Sequence, residues 1–560
     1  MLKFSQQPIE ARLESLQKDA EERDAARRAA AENLPYLDIK HQVIDRGALE
    51  AVPEVLARET RTVVFAKEGN KVKVAAHSSK TSAFEKLNLF LDEQKLKKEV
   101  FIVSLSGLEE AWKHYLAIRP ENQAEIVSEI VLSEGILESK KNVKTIEIAS
   151  EDIAQIDVDT STTDALVKIL ADALALKVSD VHLEPGRGST QLRYRVDGIL
   201  YDIARISEEV GRRTTGRLKL LASLKLNIKD EPQDGRFTIK RSKGEDVEVR
   251  LSIVPSEFGE AVVMRVLDPS VVDLNMADLG LREDDLKIVE RFLKEANGMI
   301  LLTGPTGSGK TTTLYAFLKR NSSPEVKIIT IEDPIEYHLD GIQQTQVRPK
   351  ENYTFASGLR SILRKDPDMI LVGEIRDSET ATTAIDAALT GHLVFSTLHT
   401  NNAPGAIPRL VDLKVKVSSL ASALRLVVAQ RLVRKLCEKC KRLVKIEGEL
   451  KAKIEAFKNQ VPQRAIRPSQ VKLYESVGCV SCNKGFQGRI GIFELLTFDE
   501  EMAEILGKEV TEVQTRKAAR AKGMVYMQED GILKALSGIT TIEEVEKVTG
   551  PVNWPASSVK

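Results

Sequence analysis

Gly304-Pro305-Thr306-Gly307-Ser308-Gly309-Lys310-Thr311 is the stretch on which the fold turns. It fits G-x-x-x-x-G-K-[ST]. An apolar run at 299–303 precedes it and a helix-forming run at 311–320 follows. Glycines let backbone amides turn inward around phosphate oxygens, and the N-terminus of the following helix adds partial positive charge. In this pattern the lysine reaches the β- and γ-phosphates and the next hydroxyl holds Mg²⁺. Those residues are Lys310 and Thr311, with Thr312 beside them. A chance Gly-rich turn would lack the flanking strand and helix. The expected ligand is ATP.

Further strand-like runs lie at 327–331, 369–372 and 392–397, separated by helical stretches at 311–320, 355–365 and 378–389. Strands alternating with helices predict a parallel sheet, whose C-terminal strand ends face the ligand crevice. One such end carries Ile331-Glu332-Asp333-Pro334-Ile335-Glu336, which nominates Asp333 for binding and Glu336 for catalysis. Another carries Gly373-Glu374-Ile375-Arg376-Asp377, where Glu374 is expected to polarise the attacking water. His392 and His399, two of seven histidines, bracket the last strand. Both are expected to sense the γ-phosphate through hydrogen bonds, because phosphoryl transfer depends on positioning and charge stabilisation. Each acid also admits the plainer reading of a solvated strand end, and each histidine a structural one. The neighbouring phosphate loop tips the balance.

At 560 residues the chain exceeds one core, since single cores stop growing near ~250–300 residues. Hydrophobic residues make up 42% and charged residues 29%, the composition of a globular protein. Residues 1–34 read as a polar, frayed N-terminal helix. Residues 35–116 read as a small α/β domain, with strands near 62–66, 71–75 and 100–105 and a helix at 83–94. The charged stretch 117–160 reads as a linker containing a helix. A second N-terminal domain, 161–269, opens with an amphipathic helix whose Leu166, Ile169, Leu170, Ala173 and Leu174 share a face. In it, Leu192, Tyr194 and Val196 alternate with Arg193, Arg195 and Asp197, and Arg250 falls on the polar face of a second strand. The ATPase domain spans 270–432, a tetracysteine element 433–497 and a helical segment 498–560. The fold class is therefore α/β and multidomain, around a P-loop core with a parallel sheet.

The motifs together resemble the ATPases of type II secretion and type IV pilus assembly. The phosphate loop is similar to their Walker A segment, 331–337 to their Asp box, and 359–377 to their Walker B segment. Leu389-Thr-Gly-His-Leu-Val-Phe-Ser-Thr-Leu-His-Thr-Asn is similar to their His box. Outside the motor, Val178-Ser-Asp-Val-His-Leu-Glu-Pro and Pro232-Gln-Asp-Gly-Arg-Phe resemble their second N-terminal domain, PAS-like in fold. The likeness covers about 160–550, and 35–116 more weakly. It implies a RecA-like core and a homo-hexamer docked on an inner-membrane platform protein. It further implies a cytoplasmic protein, peripheral at the inner membrane through its partners. Arg236 and Arg250 match the arginines that the second domain brings to the phosphates. A plain reading of either is a solvated strand arginine. The sequence departs from the family at Lys414, where a glycine is usual, and a local loop change is expected there. The N-terminus lacks the Arg-Leu-Gly repeats by which some relatives bind cyclic dinucleotide, so that ligand is not expected.

The four cysteines, Cys437, Cys440, Cys479 and Cys482, form two C-x-x-C pairs, which point to one tetrahedral Zn²⁺. The 38-residue gap between Cys440 and Cys479 exceeds the usual zinc-ribbon spacing. The resemblance supplies a tetracysteine element at this place, which retraction-type relatives lack. No uninterrupted apolar run reaches membrane-spanning length, and Met1-Leu-Lys-Phe-Ser opens no secretory signal. A different class, a nucleic-acid translocase or zinc-ribbon binding module, is opposed by the net charge of −1 and by the lack of interleaved basic and aromatic residues. No nucleic-acid partner is expected.

Overall fold

The computed structural model describes residues 9–42, 44–49, 51–115, 128–271, 275–507 and 510–554. Positions 1–8 of the expected N-terminal helix, 117–127 of the expected linker, and 508–509 and 555–560 of the C-terminal segment lie outside them. The chain divides into two units, Met1–Val127 and Ser128–Lys560.

In the first unit, β1 (Thr62–Glu68) and β2 (Lys71–Ala76) pair antiparallel, and β3 (Lys97–Ile102) joins β2 in parallel. A parallel neighbour needs a crossover, which the helix Ser82–Glu93 supplies. That helix starts at Thr81, whose hydroxyl accepts the Phe84 amide. The polar N-terminal helix, Ile9–Glu32, is held along its described C-terminal half by hydrogen bonds. Ser78 and Ser79 donate to Glu32, Lys40 and Ser104 donate to Glu22, and from Ala20 to Glu32, where the side chains are described, only the small Ala25 and Ala29 are buried.

The second unit opens with a seven-stranded sheet of β4 (Glu129–Leu132), β5 (Asp180–Gly186), β6 (Ser189–Val196), β7 (Ile199–Ser207), β8 (Gln233–Arg241), β9 (Val247–Ser256) and β10 (Gly259–Leu267). Its order is β4-β8-β9-β10-β5-β6-β7. Only β4–β8 is parallel. The stretch read as a linker is thus corrected from Ser128 onward. β4 extends this sheet, and Ile130, Leu132, Val143, Ile146, Ala149 and Ile153 lie in its core. The strand is four residues long and its neighbours are charged, so its period-two signal was too short to read. Along β6, Leu192, Tyr194 and Val196 are buried while Arg193 and Arg195 face outward, as the alternation predicts. The helix Thr162–Ala175 buries Leu166, Ile169, Leu170 and Ala173, whereas Leu174 is only partly covered. On the polar face, Arg236, Arg250, Arg265, Asp180 and Arg195 stand in register across five strands.

The motor sheet comprises β11 (Gly298–Thr303), β12 (Ile328–Glu332), β13 (Gln343–Gln346), β14 (Met369–Val372), β15 (Leu393–Leu398) and β16 (Leu424–Leu436). After β16 come the two-residue strands β17 (Arg442–Leu443) and β18 (Tyr474–Glu475), then β19 (Phe486–Thr497). The order is β13-β12-β14-β15-β11-β16-β19, parallel except for β16–β19. Every residue of β11, β12 and β15 is buried, as expected for parallel strands covered on both faces. Successive side chains feed different cores. Met299 and Leu301 pack with Ile370 and Val394 on one side; Ile300 and Leu302 pack with Phe395 and Val428 on the other. β16 crosses the boundary expected at 432/433, and β19 returns beside it. The cysteine-bearing segment is therefore an insertion between two paired strands of the motor sheet.

Candidate functional site

The phosphate loop joins β11 to the helix Lys310–Asn321, and Thr311 and Thr312 sit in that helix's first turn. Pro305, Thr306 and Gly307 form its exposed tip, and Ser308 is buried. Gly304 (φ +145°) and Gly309 (φ +86°) are required by shape as well as by φ. A Cβ at Gly304 would lie 2.5 Å from the Gln430 carbonyl oxygen, and one at Gly309 2.9 Å from Gln430 Nε2. No side chain caps the helix at Gly309, so its first-turn amides stay available to an anion. The buried Ser308 Oγ has no hydrogen-bond partner among the described residues. This cradle fits a phosphate group. Lys310 Nζ donates to the Gly304 and Pro305 carbonyls at 2.8 and 3.1 Å, curled over the loop. Burial lowers the Lys310 pKa, while the carboxylates of Glu374 and Glu336 pull it back up.

The opposing charges come from the C-terminal ends of β12 and β14. Glu374 follows β14, and its carboxylate meets Arg376 Nη2 at 2.5 Å and His399 Nε2 at 3.5 Å. Hydrogen bonding to Glu374 raises the Arg376 pKa, and the exposed Asp333 contributes to the same end. His399 follows β15. Its loop is stitched to the root of the phosphate loop, where Thr303 Oγ1 donates to the Thr400 carbonyl and accepts from the Thr400 amide, both at 2.9 Å. From the preceding domain, Arg250 Nη2 donates to the Ile335 carbonyl at 2.6 Å, one residue before Glu336. Arg236, its cross-strand neighbour on β8, is exposed. Lys310, Glu336, Glu374, His399 and Arg250 thus converge on one edge of the motor sheet.

His392 does not join them, and its expected sensing role is corrected. It precedes β15, so it lies at the opposite sheet edge from His399, about 20 Å away at ~3.3 Å per residue. There its amide and Nδ1 both bond the Ala387 carbonyl, at 3.2 and 2.9 Å, and close the helix Ser378–Leu389.

Two residues of this site had drawn no role from sequence. Glu332, the last residue of β12, is buried and accepts from Tyr315 at 2.5 Å and Thr330 at 2.6 Å. Burial raises its pKa, and those hydrogen bonds partly offset the rise. Gln430, 2% exposed on β16, accepts from Thr313 Oγ1 at 2.8 Å and lies under Gly309. The available signal was a glutamine inside the apolar run Leu426-Val-Val-Ala-Gln-Arg-Leu-Val, since a buried amide requires a partner.

The cysteines form a second centre. Cys437 directly follows β16, and its amide donates to the Gly485 carbonyl at 2.9 Å, just before β19. The paired strands thus bring both knuckles together. All four sulfurs lie within 4.8 Å of one another, with Sγ–Sγ distances of 4.0, 3.7 and 3.7 Å for 437–479, 440–482 and 479–482. A tetrahedral zinc with bonds of ~2.3 Å has its sulfurs about 3.8 Å apart, whereas a disulfide needs ~2.05 Å. The cluster therefore fits a metal ion. The long gap is filled by β17, the helix Gly448–Gln460 and β18. Ile454 and Phe457 of that helix share a small core with Ile532 and Leu536 near the C-terminus.

Similarity to known proteins gives the family. The family model described as "Type II/IV secretion system protein" matches residues 155–547. The type II secretion system protein E of Pseudomonas aeruginosa is 43% identical over 401 residues, covering 71% of this chain and 78% of that protein. The type IV pilus assembly ATPase PilB of Myxococcus xanthus is 36% identical over 520 residues, covering 92% and 89%. The solved structure of the Legionella pneumophila ATPase DotB superposes with a TM-score of 0.53 at 23% identity, covering 70% of this chain and 98% of that one, which supports the fold. Phosphate loop, facing carboxylates and matched length lead to one assignment: the chain belongs to the type II/IV secretion system protein family, as an ATP-hydrolysing member.

Proposed function

We propose that the chain is a cytoplasmic homo-hexameric motor that hydrolyses ATP to power assembly of type IV pili or type II secretion pseudopili. The observation that carries the reading is the convergence of Lys310, Glu336, Glu374 and His399 on one sheet edge, met by Arg250 from the preceding domain. The amides of 304–311 and the Lys310 ammonium bind the β- and γ-phosphates. The Thr311 hydroxyl would hold Mg²⁺, which would neutralise phosphate charge, and Asp333 is assigned to nucleotide binding. Glu374 accepts a hydrogen bond from the attacking water and orients it. His399, 3.5 Å from Glu374, reads the γ-phosphate. Arg250, and Arg236 beside it, bring positive charge to the same phosphates as the two domains close.

Zn²⁺ on the four cysteines is structural in this reading, because four protein sulfurs leave no open position. Among the described residues no helix is long and apolar enough to cross a membrane. Attachment at the inner membrane is assigned, as part of this proposal, to a platform protein. The match to PilB runs over 520 residues and supports the pilus side of the alternative. Mass measurement with MgATP should give six subunits, and deletion of the gene should abolish surface pili or pseudopilus-dependent secretion. A chain that stays monomeric at high concentration, or a deletion strain with both processes intact, overturns the proposal.

A further inference from the structure

Glu494 lies inside β19 among Ile492, Phe493, Leu495 and Leu496, and it is 5% exposed. A carboxylate in such a place costs several kcal/mol unless it is well bonded. Among the described residues no cation stands within salt-bridge distance of it. Its partners are two backbone amides from segments far apart in sequence. Oε1 accepts from Ala403 N at 2.9 Å, and Oε2 accepts from Met527 N at 3.2 Å. Ala403 is four residues beyond His399. Met527 is the first residue of the helix Met527–Leu536, whose N-terminal partial charge favours an anion.

The loop held by Ala403 has two other anchors. Thr400 is clasped to Thr303 at the root of the phosphate loop. Asn402 Nδ2 donates to Glu512 Oε1 at 2.9 Å, on the helix Glu512–Ala521. Residues 399–405 therefore hang between the nucleotide site and the C-terminal helices. Glu494 is the buried member of that suspension.

We infer that Glu494 is a positioning residue for ATP hydrolysis: by bonding Ala403 and Met527 together it sets the 399–405 loop, and through it His399, against the C-terminal helices. The inference rests on the proposed sensing role of His399. The hydrogen bonds of its carboxylate go to the Ala403 and Met527 amides, so its effect on hydrolysis runs through that loop. A change at Glu494 therefore alters turnover while leaving the phosphate cradle, and so nucleotide affinity, intact.

The test uses the purified full chain and the variants Glu494→Gln, His399→Ala and their combination. Glutamine keeps the shape, but its NH₂ faces one of the two amides, donor against donor. Small misplacements near the chemistry cost up to about 100-fold, so Glu494→Gln should lower kcat roughly 10- to 100-fold. Its KM and the Kd for MgATP should stay within about 2-fold, because the phosphate loop is untouched. The double variant should be no slower than His399→Ala alone, since residues that act through one another are non-additive. Should Glu494→Gln not fold, Met527→Pro serves instead. It removes one donor at a helix position that favours proline, and it should give the same loss in kcat. Wild-type kcat in either variant, or losses that multiply in the combination, overturns the inference. Wild-type turnover in His399→Ala overturns the sensing role and this inference with it. A slow His399→Ala beside a normal Glu494→Gln overturns this inference alone.

Discussion

Gln430→Leu isolates what holds the phosphate loop from beneath. Leucine is slightly larger than glutamine and carries no acceptor, so the main change is chemical. The Thr313 hydroxyl, on a residue 0% exposed, loses the acceptor that it holds at 2.8 Å. Stranding a buried hydroxyl costs ~1–3 kcal/mol. The low end applies here, because a helical threonine can turn its hydroxyl to the carbonyl four residues back, which for Thr313 is Gly309. A loss of about 1–1.5 kcal/mol lowers the melting temperature of a motor-sized cooperative unit by roughly 2–6 °C. Calorimetry of the full chain reads this in the transition that MgADP shifts upward. Removing both partners is nearly neutral when the shapes are kept. Adding Thr313→Val should therefore recover most of the lost melting temperature. Wild-type melting in Gln430→Leu, or a double variant that melts below the single, refutes the reasoning.

Arg250→Ala should reduce turnover on the order of 10³-fold or more with nucleotide affinity retained, and undiminished turnover contradicts a phosphate role for it. Lys414 sits at φ +68° as the left-handed residue after the helix Ala406–Asp412, with Lys414 N to Val411 O at 2.8 Å and Val415 N to Leu410 O at 3.1 Å. Glycine suits that position, so Lys414→Gly should raise stability by about 0.5–1 kcal/mol, and a lower melting temperature counts against it. Elemental analysis should find one zinc per chain, and a strong chelator should lower the melting temperature. A reduced, chelator-free preparation without zinc refutes the metal reading.

Much of the motor was readable because its strands are buried on both faces and so appear as unbroken apolar runs. The strand at 369–372 and the helix at 378–389 fall where the sequence puts them. The Lys414 position also makes sense in physical terms. Lys414 holds a left-handed φ of +68°, a conformation that favours glycine. His392 differs from His399 in strand polarity: ligands sit at the C-terminal ends of parallel strands, and His392 stands before its strand. Gln430 and Glu494 were opaque for another reason. Their partners lie 117 and 91 residues away for Thr313 and Ala403, and no local period encodes such pairings. The cysteine gap read as too long because the sequence does not show that a helix with its own core fills it between two paired strands.

The central claim is that Glu374 directs water at a nucleotide bound by the 304–311 loop. Single-turnover hydrolysis of MgATP by the purified chain tests it most directly, with Glu374→Gln compared against wild type at matched nucleotide occupancy. The account predicts that Glu374→Gln binds MgATP as wild type does and hydrolyses it at least ~100-fold more slowly. Equal hydrolysis rates at equal occupancy would contradict it.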